Sequence, residues 1–315
     1  MSTTTKILIL VSLTLLLSGL FLLYNLPNNW EYALERRGFK VASMLVVGCC
    51  IAYSSVVFQT LTNNKILTPS IMGFEAVYML FQTVIVFIYG DQTFQVIKNS
   101  GNFFISVGLM LVFALLLFVL IFKKGRSNMY FLLLTGLVLG TIFTTMSSFL
   151  QLVIDPNEFL VVEQKMFASF NRMNIDIFWY ALGFMILCFV VGFRKLKHLD
   201  LISLGRENAI SLGLDYNKSI KFYLFIIAVL VAVSTALVGP LTFLGILVTN
   251  LTYELFKTYK HSILIPCCCL ISGVAIVGGQ FLVEQVFNFN TTISIIINFI
   301  GGLYFMFLLL KVRKI

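Results

Sequence analysis

Apolar runs close to twenty residues long, parted by short polar breaks, recur at 7–24, 39–60, 71–89, 102–122, 129–152, 176–193, 219–238, 242–257, 262–282 and 293–311. A helix of roughly 20 apolar residues crosses the hydrocarbon of a bilayer, so the pattern predicts about ten transmembrane helices. The eighth run is short and begins beside Gly239-Pro240, which predicts a broken or re-entrant segment supported by its neighbours. The longest polar island, 194–221, lies between the sixth and seventh runs. Within it Leu204-Gly205 and Leu212-Gly213 bracket an amphipathic stretch, where Leu204, Ala209, Leu212 and Leu214 are interspersed with Arg206, Glu207, Asn208 and Asp215. That reads as two brief helices stopped by glycine, a knob suited to the cleft of a soluble partner.

Composition agrees with the pattern. With 59% hydrophobic and 11% charged residues, 32 Phe among 315 residues and a mean hydropathy of +0.99, the chain lacks the polar surface of a soluble domain. The fold class expected is an all-α polytopic membrane protein, one transmembrane domain over 1–315. Placing the N-terminus in the cytoplasm gathers Lys6, Lys65, Lys123, Lys124, Arg126, the basic residues of 194–221, Lys257, Lys260, Lys311, Arg313 and Lys314 inside, 16 of 22 Lys and Arg. Arg36, Arg37, Lys40, Lys98, Lys165 and Arg172 remain outside. The split satisfies the positive-inside rule with both termini cytoplasmic. It accounts for the net charge of +9 without nucleic acid, for which there is no recognition motif. The first run is followed by no small-x-small cleavage site before Asn25, so it reads as a span rather than a signal peptide.

Reactive side chains are few. Cys49, Cys50, Cys188, Cys267, Cys268 and Cys269 all fall within predicted helices; adjacent cysteines on a helix diverge and cannot chelate tetrahedrally by themselves. With only His198 and His261 beside them, neither a metal site nor a cofactor is expected. No Ser/His/Asp set, HExxH run or phosphate loop appears, so any energy source must come from another protein. In the fifth run Thr141, Thr144, Thr145, Ser148 and Gln151 share one helical stripe. Polar groups at membrane depth face protein or a wet cavity, so the stripe is a candidate lining for a translocation path, with Phe143 facing lipid. The alternative is a packing seam, with Ser and Thr bonding back to the preceding turn and Gly136 and Gly140 allowing close approach. Glu75, at the start of the third run, is the clearest intramembrane charge. Its isolation argues against the acidic relay of a proton-driven carrier.

Several segments taken together resemble one family. VGCCIAYSSVVFQ (47–59) is similar to a VGAxLAxSGxxxQ motif, and Asn64 to Pro69 with Met72-Gly73 to NPLAxPxxLG, with Lys65 where Pro is usual. LISLGRENAISLGLD (201–215) is similar to a coupling segment, VGPLTFLGILVTNL (238–251) to VGPIxFVGLIVPHL, and Phe299 to Gly302 to the last-helix LIGGPxF, with Leu303 in place of Pro. In order and spacing these resemble the FecCD family, permease subunits of ABC importers for iron-siderophore complexes, haem and cobalamin. The resemblance implies a second, homologous or identical permease, a cytoplasmic ATPase dimer, an extracytoplasmic siderophore-binding protein and a ferric siderophore substrate, in a prokaryotic cell membrane. It also implies that Leu204, Gly205, Arg206, Glu207, Ala209, Leu212 and Gly213 meet the ATPase. Arg36, Arg37 and Lys40 stand where an Arg-x-Pro-Arg motif pairs with acidic lobes of the binding protein. Thr249-Asn250 for Pro-His, Arg37-Gly38-Phe39-Lys40 for that motif, and Asn290-Thr291-Thr292 without Pro resemble the branch for catecholate siderophores of the petrobactin and anguibactin kind. The residues by themselves leave two rivals: an ion-coupled secondary transporter of a small polar solute, and a membrane scaffold or receptor.

Overall fold

Seven apolar runs become helices long and apolar enough to cross a membrane: α1 (Thr3–Leu23), α2 (Trp30–Thr62), α4 (Ser100–Phe122), α5 (Met129–Val153), α7 (Ile175–Phe193), α10 (Tyr216–Val238) and α12 (His261–Gln285). The computed structural model describes residues 2–90, 100–122, 129–171 and 173–312. Of the three other runs, two form shorter helices, α3 (Phe74–Tyr89) and α11 (Leu244–Leu255), and the third forms α13 (Ile293–Val312), 20 residues long. Three further helices, α6 (Pro156–Met166), α8 (Leu196–Ile202) and α9 (Arg206–Ser211), join them, and no strand occurs among the described residues. Of the basic residues used to orient the chain, Lys98, Lys123, Lys124, Arg126, Arg172, Arg313 and Lys314 lie outside the described residues.

The bundle is built around α2 and α10, in each of which 72% of the most apolar stretch is buried, whereas α1 buries 11%. α2 places Met44, Val47, Cys50, Tyr53, Val57 and Phe58 in the core and packs along α12, α10 and α11. It begins at Trp30, well before its apolar run, so Arg36, Arg37 and Lys40 are helical residues. All six cysteines are free thiols within α2, α7 and α12.

α10 ends at Val238, and Gly239, with φ of 102°, turns the chain into a buried stretch through Leu241. α11 then runs for 12 residues, about 18 Å at 1.5 Å per residue, too short to span roughly 30 Å of hydrocarbon. This is the broken segment expected at Gly239-Pro240, and its backbone is enclosed by protein, as membrane depth requires.

A second interruption lies between α2 and α3. The chain leaves α2 at Asn63 in a left-handed conformation, makes a 3-10 turn at Pro69–Met72, and enters α3 through Gly73 at φ of 83°. α5 lies directly on this turn: a Cβ on Gly136 would sit 2.9 Å from Met72 Cα, and one on Gly140 3.1 Å from Gly73 Cα. Backbone faces backbone there, so no side chain can give way. Gly136→Leu should therefore push α5 off the turn and destabilise the protein by about 1–3 kcal/mol, seen as a lower melting temperature in detergent. Gly183→Ala, which meets nothing within 4 Å, should leave it unchanged.

Candidate functional site

The stripe on α5 divides. Thr141, Thr144, Thr145 and Ser148 are exposed on the free face of the helix, among Leu137, Val138, Ile142, Met146 and Phe149. Thr141 and Thr145 donate to the carbonyls of Leu137 and Thr141, and Thr144 to that of Gly140, each at 2.9 Å. Such back-bonding satisfies hydroxyls on a surface facing lipid or a partner. Gln151 instead turns inward, donating to Ser147 at 3.0 Å and to Thr83 at 3.4 Å. Phe143, expected to face lipid, packs against Phe113 of α4 at 5.5 Å between ring centroids. The buried face of α5 is narrow, so Phe143 is drawn into the α3–α4 side of the bundle.

At one end of α2 the polar island forms α8 and α9. Gly213, at φ of 84°, closes α9, with Leu214 N donating to Ala209 O at 3.0 Å. This is the glycine stop expected there. Gly205, at φ of 92°, opens α9 as its N-cap instead, because α8 has already ended at Ile202. Ala209 is buried, while Leu204, Ile210 and Leu212 are exposed apolar side chains beside Arg206 and Glu207, which are also exposed. A chain of bonds invisible in the spacing anchors this knob: Asp200 of α8 accepts from His261 N at 2.9 Å, and its Oδ1 lies 2.6 Å from His261 Nδ1. His261 Nε2 is 2.8 Å from Thr60 Oγ1, which donates to Val56 O within α2. Tyr223 of α10 donates to Lys195 O at 2.6 Å. Asp200 thus caps the start of α12, and the histidine locks α8 to α2.

At the opposite end of α2 the basic residues border a cavity of about 570 Å³ with Tyr32, Phe170 and Phe289. Arg37 is turned onto α1, whose last carbonyls it satisfies: Leu22 O at 3.1 Å, Tyr24 O at 2.6 Å and Asn25 O at 3.2 Å. Lys40 pairs with Glu284 of α12 at 3.1 Å. Arg36 is exposed, with its guanidinium 5.6 Å from the Tyr32 ring.

The quoted motifs converge in space. Gln59 Nε2 donates to Lys65 O at 2.8 Å and to Thr249 Oγ1 at 2.9 Å, and Asn250 Nδ2 donates to the same Lys65 carbonyl at 3.1 Å. Lys65 and Thr249-Asn250, each a departure from the resembled pattern, therefore meet at one point. Glu75 is half-buried, held by Ser70 and Thr242.

Helix interruptions buried within a bundle distinguish transport proteins from simple anchors, and the fold is of that class. The chain belongs to the FecCD transport family, which it matches over residues 5–311. It is 53% identical to the petrobactin import system permease protein YclO of Bacillus subtilis, with 98% of each chain covered. It is 33% identical to the petrobactin import system permease protein FatC of Bacillus anthracis, covering 97% of this chain and 88% of that one. A metal-chelate type ABC transporter in an inward-facing conformation superposes with a TM-score of 0.83 at 21% identity, over 98% of this chain and 100% of that chain.

The anchoring of the knob gives a direct test. Asp200→Ala removes the partner of the His261 backbone N and of its ring Nδ1 and should destabilise by about 1–3 kcal/mol. Backbone amide exchange should rise across α8 and at the start of α12 and stay unchanged in α4; uniform exchange would remove the anchor.

Proposed function

We propose that this chain is the permease subunit of an ABC importer that carries a ferric siderophore of the petrobactin kind across the cell membrane, in about ten passes. Both termini and 194–221 face the cytoplasm. The observation that carries the reading is the 53% identity to a petrobactin import permease over 98% of both chains. The chain supplies the path, and ATP hydrolysis belongs to a partner.

The exposed hydroxyl face of α5 lies against a second permease, related or identical, and Thr141, Thr144, Thr145 and Ser148 border the path between them, while Gln151, turned inward, holds α5 to α3. A large polar chelate needs weak contacts that let it leave, which hydroxyls supply. Leu204, Gly205, Arg206, Glu207, Ala209, Leu212 and Gly213 form the surface that meets the ATPase dimer. The exposed Leu204, Ile210 and Leu212 support this, being apolar groups beside the exposed Arg206 and Glu207. Arg36, Arg37 and Lys40 receive the binding protein. Arg36 meets acidic groups directly, Lys40 is fixed by its pair with Glu284, and Arg36 and Arg37 give the surface a positive potential, which steers encounter more than it adds affinity.

Uptake of radioactive iron given as ferric petrobactin tests the whole reading, with three variants failing at separate steps. Thr145→Trp should block uptake with the complex intact, since an indole narrows the path, and Thr145→Val should cost little. Leu204→Asp with Leu212→Asp should detach the ATPase by placing charges in an apolar cleft. Arg36→Glu should weaken binding-protein docking most at low salt. Equal uptake with and without the chain, or full uptake in all three variants, refutes the assignment.

A further inference from the structure

The two chain interruptions meet at a cavity whose chemistry the transport reading does not use. It measures about 30 Å³, room for one ion or water and for no organic ligand. Its polar lining includes Ser54 of α2, Ser70 of the 3-10 turn, Glu75 of α3, Ser234 of α10 and Thr242 of the α10–α11 break, and no Lys, Arg or His lines it. Ser70 Oγ donates to Glu75 Oε1 at 2.9 Å and Thr242 Oγ1 to Oε2 at 2.7 Å. Each carboxylate oxygen keeps a further lone pair. Ser54 is 1% exposed, and its hydroxyl has no hydrogen-bond partner in the protein. Oxygen lone pairs therefore line a small, partly open space that also holds the half-buried Glu75 carboxylate, and a charge partly withdrawn from water favours a counter-charge.

We propose that this cavity binds a single monovalent metal cation of about the size of sodium, ligated by the Glu75 carboxylate and by hydroxyl oxygens that include Ser54. A single carboxylate falls short of the oxygen sets that hold calcium, and magnesium keeps several waters for which there is no room. Softer metals prefer nitrogen and sulfur, and no group of three His, Cys, Asp or Glu able to hold a metal exists among the described residues. The cation ties α2, the 3-10 turn, α3 and the α10–α11 break at one point. It goes beyond the proposed transport role, and its test reads binding by the resting complex, so its failure and that of the uptake reading are separable.

The purified importer complex is melted in sodium, potassium and choline chloride at matched ionic strength and pH, with direct binding of radioactive sodium measured alongside. Sodium should raise the melting temperature saturably with one-site behaviour. The shift should be lost in Glu75→Gln and displaced to higher sodium in Ser54→Ala, with subunit stoichiometry unchanged. Should Glu75→Gln fail to assemble, Ser54→Ala and Thr242→Val carry the same comparison. Identical melting in the three salts, or a sodium response retained in Glu75→Gln, overturns the proposal. So does a stabilisation reproduced by acid alone without sodium dependence, which assigns the position to a proton.

Discussion

A backbone amide or carbonyl left unpaired in hydrocarbon costs several kcal/mol, and the two interruptions of this chain are arranged so that each is completed by residues distant in sequence. Gln59 at the end of α2 and Asn250 in α11 both donate to the Lys65 carbonyl. The 239–243 break is served from outside as well: Ser169 N donates to Val238 O at 2.8 Å, and Ser294 Oγ to Pro240 O at 3.3 Å. Ser294 in turn accepts from Ala168 N at 2.8 Å. The breaks thereby dictate which helices must be neighbours. α2 has to approach α11, and the segment after α6 has to reach the start of α13.

Hydrogen bonds between transmembrane helices average about 0.6 kcal/mol, so these few are too weak to hold the bundle together. Their influence is on register, because each bond forms in one alignment. Cohesion comes from close packing, for which lipid tails are a poor substitute at a helix crossing. The contact of Gly136 and Gly140 with Met72 and Gly73 shows the division of labour. Small residues bring α5 onto the turn, and beside them Ser147 pairs with Thr83 at 2.8 Å to fix the position of α5 along α3.

The spans legible in the sequence are those whose apolar run comes close to the thickness of the hydrocarbon or exceeds it, such as α5 and α7, whose ends fall within a residue of the runs. α6 carries no long apolar stretch to mark it, although Asp155 followed by Pro156 is a helix-start signal and Asp155 does accept from Asn157 N. The start of α2 is hidden in the apolar pattern because its first turns carry Glu31, Glu35, Arg36 and Arg37, polar residues outside any apolar run. At the candidate sites the exposed hydroxyl face followed from helical periodicity alone. The Asp200–His261–Thr60 chain did not, since it joins residues up to 201 apart, and no local pattern encodes a contact between three separate helices. The sequence likewise showed basic residues near 36–40 without showing that Arg37 is turned onto α1 carbonyls.

α2 runs for 33 residues, about 50 Å at 1.5 Å per residue, and both of its ends are secured. Arg37 binds it to α1, Lys40 to α12 through Glu284, and at the far end Thr60 meets His261 and Asp200. With α12 clamped to α2 at both ends, a push on α8 is transmitted along the pair rather than absorbed in a loop. α5 is joined differently, through the glycine contact to the 3-10 turn and α3. The hydrogen bond from Thr242 to Glu75 therefore links the α10–α11 break to the unit that carries α5. The half-buried Glu75 carboxylate is thus shared by the two units, bonded to Ser70 on one side and to Thr242 on the other.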